Sequence, residues 1–154
     1  MTLVFRKALG IDLPAIVRML TDDELGMNRE DGSGDISSYR SAFLDIDSDP
    51  NQFLCVVESD GQVVGTLQLT FIPGLSRGGA KRGQIEAVRV ARDRRNEGIG
   101  RAMFDWAIEQ CHVQRCALVQ LTTDKARPDA HRFYESLGFE ASHVGYKLQF
   151  GERR

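Results

Sequence analysis

The sequence predicts a mixed α/β (α+β) fold whose central sheet is mostly antiparallel. Three observations carry this. Apolar periodicity gives the element order β-α-α-β-β-β-α-β-α-β, the strands of the first half follow one another as a meander, and a single strand-helix-strand crossover comes after them. Composition agrees: 154 residues, 42% apolar and 27% charged, describe one globular domain over residues 1–154. A chain of that length buries roughly two-thirds of its unfolded surface and needs no metal or disulfide to hold a core. With 20 Lys and Arg against 22 Asp and Glu, the formal charge of −2 excludes a whole-surface binder of nucleic acid or anionic membrane.

Leu3–Lys7 reads as a short strand. Asp12 then offers an N-cap side chain ahead of Pro14, with Ile16, Val17, Met19 and Leu20 at helical spacing. A second helix is expected over Ser37–Asp45, carrying Tyr39, Ala42 and Phe43. Gln52–Glu58 and Gln62–Ile72 flank Ser59-Asp60-Gly61, and an Asp-Gly between two β-rich runs signals an antiparallel hairpin. After a loop holding Gly74, Gly78, Gly79 and Gly83, the run Gln84–Val90 returns as a strand, followed by a glycine-bearing turn and a helix from about Gly98 to His112. Ala117–Thr122 is the next strand. Pro128 suits the first position of a last helix, in which Ala130, Phe133, Tyr134 and Leu137 share one face and Gly138 stands just past the end. Val144–Phe150 alternates loosely as a closing strand.

No stretch approaches the ~20 apolar residues of a membrane span, and the start meets its charges too soon for a signal peptide, so a cytoplasmic location is expected. Cys55, Cys111 and Cys116 lie in or beside apolar runs and are expected to be unpaired, structural thiols. His112, His131 and His143 have no metal-ligand spacing, and no metal is expected.

The segment Asp93-Arg-Arg-Asn-Glu-Gly-Ile-Gly-Arg-Ala-Met-Phe104 joins a strand to a helix with glycines at 98 and 100. The first turn of a helix presents backbone N–H groups without intrahelical partners, and its dipole adds partial positive charge, so phosphate oxygens bind there. Glycine lets a diphosphate approach the amides and tolerates positive φ; Arg95 and Arg101 add charge beside it. A dinucleotide fingerprint would need a third glycine where Met103 stands, and no Gly-Lys-Ser/Thr tripeptide exists for a nucleotide P-loop. What remains is Arg95-x-x-Gly98-x-Gly100 after the strand Ile85–Val90.

With that loop the chain resembles the GNAT superfamily of acetyl-CoA-dependent N-acetyltransferases, whose pyrophosphate loop reads Gln/Arg-x-x-Gly-x-Gly/Ala. Asp129-Ala-His-Arg-Phe-Tyr-Glu-Ser-Leu-Gly-Phe139 is similar to the family's Ala-x-x-Phe-Tyr-x-x-x-Gly-Phe signature. More narrowly, Asp129–Tyr134 with Ser142 and His143 resembles the aminoalkylphosphonate acetyltransferases. Departures are Arg92 where Pro is common, Asn96 where Gly is common and Arg127 where Asn is common; Asn tolerates left-handed φ, so the loop geometry survives. The resemblance implies a GNAT-like sheet of six to seven strands flanked by about four helices, and acetyl-CoA as co-substrate.

It also implies site residues. The pantetheine arm would bond the backbone of Val88, Arg89 and Val90 like an added strand, with the diphosphate on Arg95, Asn96, Glu97, Gly98, Ile99, Gly100 and Arg101, and Phe133 beside the cofactor. Tyr134 would be the general acid for the leaving thiolate, while spacing alone leaves it equally a core tyrosine. Glu86 is the candidate general base for the amine. On an ideal strand it shares a face with Val88 and Val90, whose apolar surroundings would raise its pKa; a bulge would change that face, and a solvent-facing Glu is the alternative.

Between Thr21 and Asp35 stand Asp22, Asp23, Glu24, Glu30, Asp31 and Asp35 against Arg29 alone. This is a rim that would attract a cationic amine or a loop that is simply solvated. Pro73–Gly83 is the converse, with Arg77, Lys81 and Arg82. The expected activity is acetyl transfer to a primary amine of a small molecule, by direct attack in a ternary complex. A peptide or protein amine is the alternative acceptor, and a non-catalytic acetyl-CoA sensor the alternative class. A homodimer is compatible with the sequence; nucleic-acid and membrane partners are not expected.

Overall fold

A computed structural model describes residues 1–22, 30 and 35–151. It divides into two compact units, Met1–Val119 and Gln120–Arg154. The elements are β1 (Val4–Lys7), α1 (Leu13–Thr21), α2 (Ser37–Asp47), β2 (Gln52–Ser59), β3 (Gln62–Ile72), β4 (Arg82–Val90), α3 (Ile99–Val113), β5 (Leu118–Gln120) and α4 (Pro128–Ser136), with short helical turns at Gly10–Asp12, Ser76–Gly79 and Arg92–Arg94. The sheet runs β1-β2-β3-β4-β5, and its first three neighbouring pairs are antiparallel. No described helix is long and apolar enough to cross a membrane.

The hairpin forms where Asp60-Gly61 placed it. Both residues have left-handed φ, 52° and 78°, as a tight two-residue turn between twisted strands requires, and Ser59 pairs with Gln62. Alternation along the regularly paired stretches then sorts the sheet into two faces. On one, Phe5 stacks on Trp106 of α3 with ring centroids 5.3 Å apart, and Phe53 meets the same indole edge-on at 5.2 Å. Two glycines let α3 lie directly on the strands: a Cβ at Gly65 would come within 2.9 Å of Met103 Sδ, and one at Gly83 within 2.2 Å of Cys111 Sγ. On the other face Val56 packs with Ala8 and with Ile16 of α1, joined by Leu20, Phe43, Leu54 and Val63. Because α3 is seated this tightly, its N-terminus is fixed at the end of β4.

Two expectations need correction. Among the described residues the sheet has five strands, not six to seven, because Val144–Phe150 forms none. Its apolar positions Val144, Tyr146, Leu148 and Phe150 are all strongly exposed; alternation alone does not make a strand without a ladder partner to satisfy its backbone. Asp12 does stand at the start of α1, but its side chain makes no cap bond into the helix. Its carboxylate turns back to accept the Leu9 N–H at 2.7 Å and two bonds from the Arg6 guanidinium at 2.8 and 2.9 Å, while Arg6 also pairs with Glu58.

Asp12 is 5% exposed, and its bonds to Arg6, ahead of the Leu9 amide bond, hold its pKa below the ordinary carboxylate range against the opposing effect of burial. A depressed folded-state pKa stabilises above the unfolded value and is lost as pH falls through the folded one. Asp12→Asn should therefore cost about 2 kcal/mol at neutral pH, and the gap from the parent should close at the acid end of a denaturant-melt series. A gap that stays constant down to acid-induced unfolding would refute this account of the pair.

Candidate active site

The turn after β4 is built to leave amides open. Arg92–Arg94 forms one helical turn, Asn96 and Gly98 take left-handed φ of 67° and 82°, and α3 then begins without any side-chain cap. The first helical bond runs from Ala102 N–H to Gly98 O at 3.2 Å. The N–H groups from Asn96 to Arg101 donate to no described residue. Gly98 is required by its φ. Gly100 is different, since its φ is not positive and an added Cβ would meet nothing within 4 Å. A glycine in a helix costs about 0.5–1 kcal/mol relative to alanine. No crowding inside the protein demands a glycine there, and the space beside Gly100 is open. Arg101, in the first turn of α3, is exposed and meets no carboxylate among the described residues.

β4 itself is bulged. Thr66 pairs with Arg89 and Gln68 with Glu86, so Leu67 alone stands opposite both Ala87 and Val88. Ala87 carries the distortion at φ 54°, a left-handed value that strains a non-glycine residue by about 1–2 kcal/mol. This corrects the expected environment of Glu86. The extra residue reverses side-chain parity, so Val90 faces the opposite side of the sheet, opposite Gly65, while Glu86 shares its face with Arg89, Gln84 and Gln68. Glu86 is exposed among polar neighbours instead of lying among apolar ones, and Gln84 Nε2 reaches its Oε1 at 3.5 Å.

Tyr134 and Phe133 belong to the second unit. The pattern Tyr134-Glu-Ser-Leu-Gly-Phe139 closes α4 with paired bonds: Gly138 N–H to Glu135 O at 3.0 Å and Phe139 N–H to Tyr134 O at 3.1 Å, with Gly138 at φ 96°. That lock holds the Phe139 ring 6.3 Å from Tyr134, while Phe133 lies 5.7 Å away on the other arm of an edge-on cluster. His131 is used locally, its Nε2 3.1 Å from Asp124 O.

A loop of open amides and a bulged strand before it fit a diphosphate-bearing thioester, and the match to known sequences decides the family: the model of the acetyltransferase (GNAT) family fits residues 15–139. The chain belongs to the GNAT family. It is an acyltransferase whose family draws its acetyl group from acetyl-CoA. The aminoalkylphosphonate N-acetyltransferase of Salmonella typhimurium is 31% identical over 112 residues, 73% of this chain and 72% of that one. The glucosamine 6-phosphate N-acetyltransferase of Trypanosoma brucei brucei is 36% identical over 85 residues, 53% of each chain. Among solved structures, one described as a transcriptional regulator from Bacillus halodurans C-125 superposes with a TM-score of 0.91 at 46% identity, covering 97% of this chain and all of the other.

In this GNAT acetyltransferase the side chain of Arg95 is turned away from the amides: its Nε donates to Val90 O at 3.2 Å and its Nη2 to Asp22 O at 3.3 Å. Arg92 pairs with the Asp22 carboxylate at 2.5 Å. Glu97 is held by Arg94 at 3.1 Å, so only its backbone faces the loop. Cys55 and Cys111 are buried, and burial pushes both thiols up to about 12, leaving them protonated and unreactive at neutral pH. No group of three or more His, Cys, Asp or Glu among the described residues is placed to hold a metal. Of the acidic run, Asp23, Glu24 and Asp31 lie outside the described residues. Sequence reasoning missed Gln68, which stands opposite Glu86, and Thr70 and Gln52, which continue the same face in the row of Gln84; the polar alternation Thr66, Gln68, Thr70 along β3 was the available signal.

Proposed function

We propose that the chain, working as one domain over residues 1–154, moves an acetyl group from acetyl-CoA to the primary amine of a small molecule, by direct attack in a ternary complex. The open amides at Asn96–Arg101 beneath an uncrowded Gly100 carry this reading. They are the binding site for the diphosphate, with the backbone of Arg95 and the side chain of Arg101 beside it. Val88, Arg89 and Val90 offer backbone to the pantetheine arm just past the bulge, and Phe133 contacts the cofactor. When bound, acetyl-CoA supplies a thioester already activated toward attack.

The amine nitrogen forms the new C–N bond as the C–S bond breaks. Glu86, directly or through water, takes the proton the nitrogen must lose, and its exposure lets it meet a diffusing amine. The Tyr134 hydroxyl gives a proton to the departing sulfur. A covalent acyl-cysteine route is disfavoured by the protonated, buried thiols. The two curated relatives act on small amines by name, which supports the same acceptor class here. Three unpaired cysteines are what a reducing compartment leaves, which supports a cytoplasmic location.

Acetyl-CoA at about a hundred times its dissociation constant should stabilise the fold by about 2.7 kcal/mol and raise Tm by roughly 5–10 °C. Absence of any shift at millimolar ligand would sink the cofactor reading. Release of free CoA in the presence of a panel of small primary amines tests the transfer itself, and release with peptide amines alone would move the acceptor to the other class.

A further inference from the structure

The face of the sheet around Glu86 is polar in a pattern the transfer chemistry does not require. Regular pairing from Arg82 to Glu86 sets Gln84 beside Thr70 and Glu86 beside Gln68, and pairing with β2 brings Gln52 opposite Thr70. Farther along the same face Leu54 and Val56 are packed by residues of α1 and α2. Near Glu86, Gln52, Gln68, Thr70 and Gln84 are only half-buried. They are also cross-linked: Gln52 Oε1 accepts from Gln68 Nε2 and from Thr70 Oγ1, both at 2.9 Å. Those two bonds occupy the acceptor sites of the Gln52 carboxamide. Its own N–H donors, and the Gln68 carbonyl, meet no described residue.

A carboxamide pinned through one end presents the other in a fixed direction. A molecule laid over this face would shut solvent away from those groups, and leaving a buried donor or acceptor unmet costs about 1–3 kcal/mol. A plain alkyl amine would incur that cost, whereas one carrying hydroxyl groups would satisfy those groups bond for bond. The reach suits such a molecule at Gln68, one strand spacing or roughly 5 Å from Glu86; Gln52 stands two spacings across and two residues along, roughly 12 Å away, and its carboxamide meets that of Gln68 through their shared bond.

We propose that Gln52, Gln68, Thr70 and Gln84 form the recognition surface for the acceptor, and that the acceptor is a primary amine with hydroxyl groups on carbons near its nitrogen. This rests on the reading of Glu86 as the residue that meets the amine. Gln68 and Gln52 set specificity; they take no part in proton transfer.

The test is kcat/KM, read by CoA release, for two matched pairs, serinol against isopropylamine and glucosamine against cyclohexylamine, in the parent and in Gln68→Leu and Gln52→Leu. Comparing each variant with the parent for the same amine cancels differences in amine basicity. Each variant should lose about tenfold on the hydroxylated member of a pair, the equivalent of one good hydrogen bond, with less than threefold change on its alkyl partner and an unchanged KM for acetyl-CoA. Gln68→Asn, which withdraws the same group by one methylene, should show the same selective loss if a leucine variant fails to fold. Equal losses on both members, or none on either, would overturn the proposal. So would a parent that acetylates other amines of the panel but neither hydroxylated compound, and in that case the acetyl-transfer reading stands. A parent that neither binds acetyl-CoA nor releases CoA with any amine removes that reading, and this proposal with it.

Discussion

Tyr134→Phe is expected to lower kcat by about a hundredfold or more while leaving acetyl-CoA affinity within about twofold. A phenol with an ordinary pKa near ~10 donates uphill to a thiolate whose conjugate acid lies near ~8.5, so the transfer needs a donor held in place. The lock at Gly138-Phe139 supplies the holding, because it fixes the main chain at Tyr134 and keeps two aromatic rings against it. Phenylalanine preserves both ring contacts, so the variant should stay folded, which a melt beside the parent checks. Turnover that survives the substitution would remove the tyrosine from the chemistry and leave it as packing for α4.

Gly100→Val should weaken acetyl-CoA binding by about thirtyfold or more, near 2 kcal/mol, without unfolding the protein. The separation of the two effects is what makes it informative. A Cβ at this position meets nothing in the protein, and valine is a somewhat better helix former than glycine, so thermal stability should hold or rise slightly. The branched side chain would nevertheless stand in the space above the free amides of Asn96–Arg101. Titration calorimetry with CoA in parent and variant checks this directly. Unaltered affinity would show that the diphosphate rests elsewhere.

Much of this arrangement was legible beforehand, for reasons that differ by element. The hairpin could be read because Asp-Gly is one of few pairs that accept two left-handed residues. The open amides could be read from Gly98 and Gly100, which end a strand's loop and begin a helix whose first N–H groups have no intrahelical partner. The bulge left a trace that was easy to pass over: apolar Ile85 is out of phase with Val88 and Val90, a slip of one residue between Glu86 and Val88. Ideal alternation puts Glu86 with Val88 and Val90, and the bulge that the sequence left open as the alternative is the one formed. The polar face was obscured because a polar row on one side of an antiparallel strand is the ordinary pattern for any solvent-facing sheet; only the register showed that Gln68 stands beside Glu86 and that Gln52 and Thr70 share that face in the next row. Val144–Phe150 failed for the opposite reason, since its alternation was visible and the ladder it needed is not formed.

Two of the three sulfhydryls are sealed inside, Cys55 at 0% and Cys111 at 2% exposure, one in the middle of the sheet and the other on the helix lying across it. The molecule thus carries a pair of internal clocks for its own opening. A bulky disulfide dye added to the native chain would mark Cys116 early and the remaining two only as fast as the interior breathes. Whether those two labels arrive together or in sequence would tell if the helix peels from the strands before the strands part.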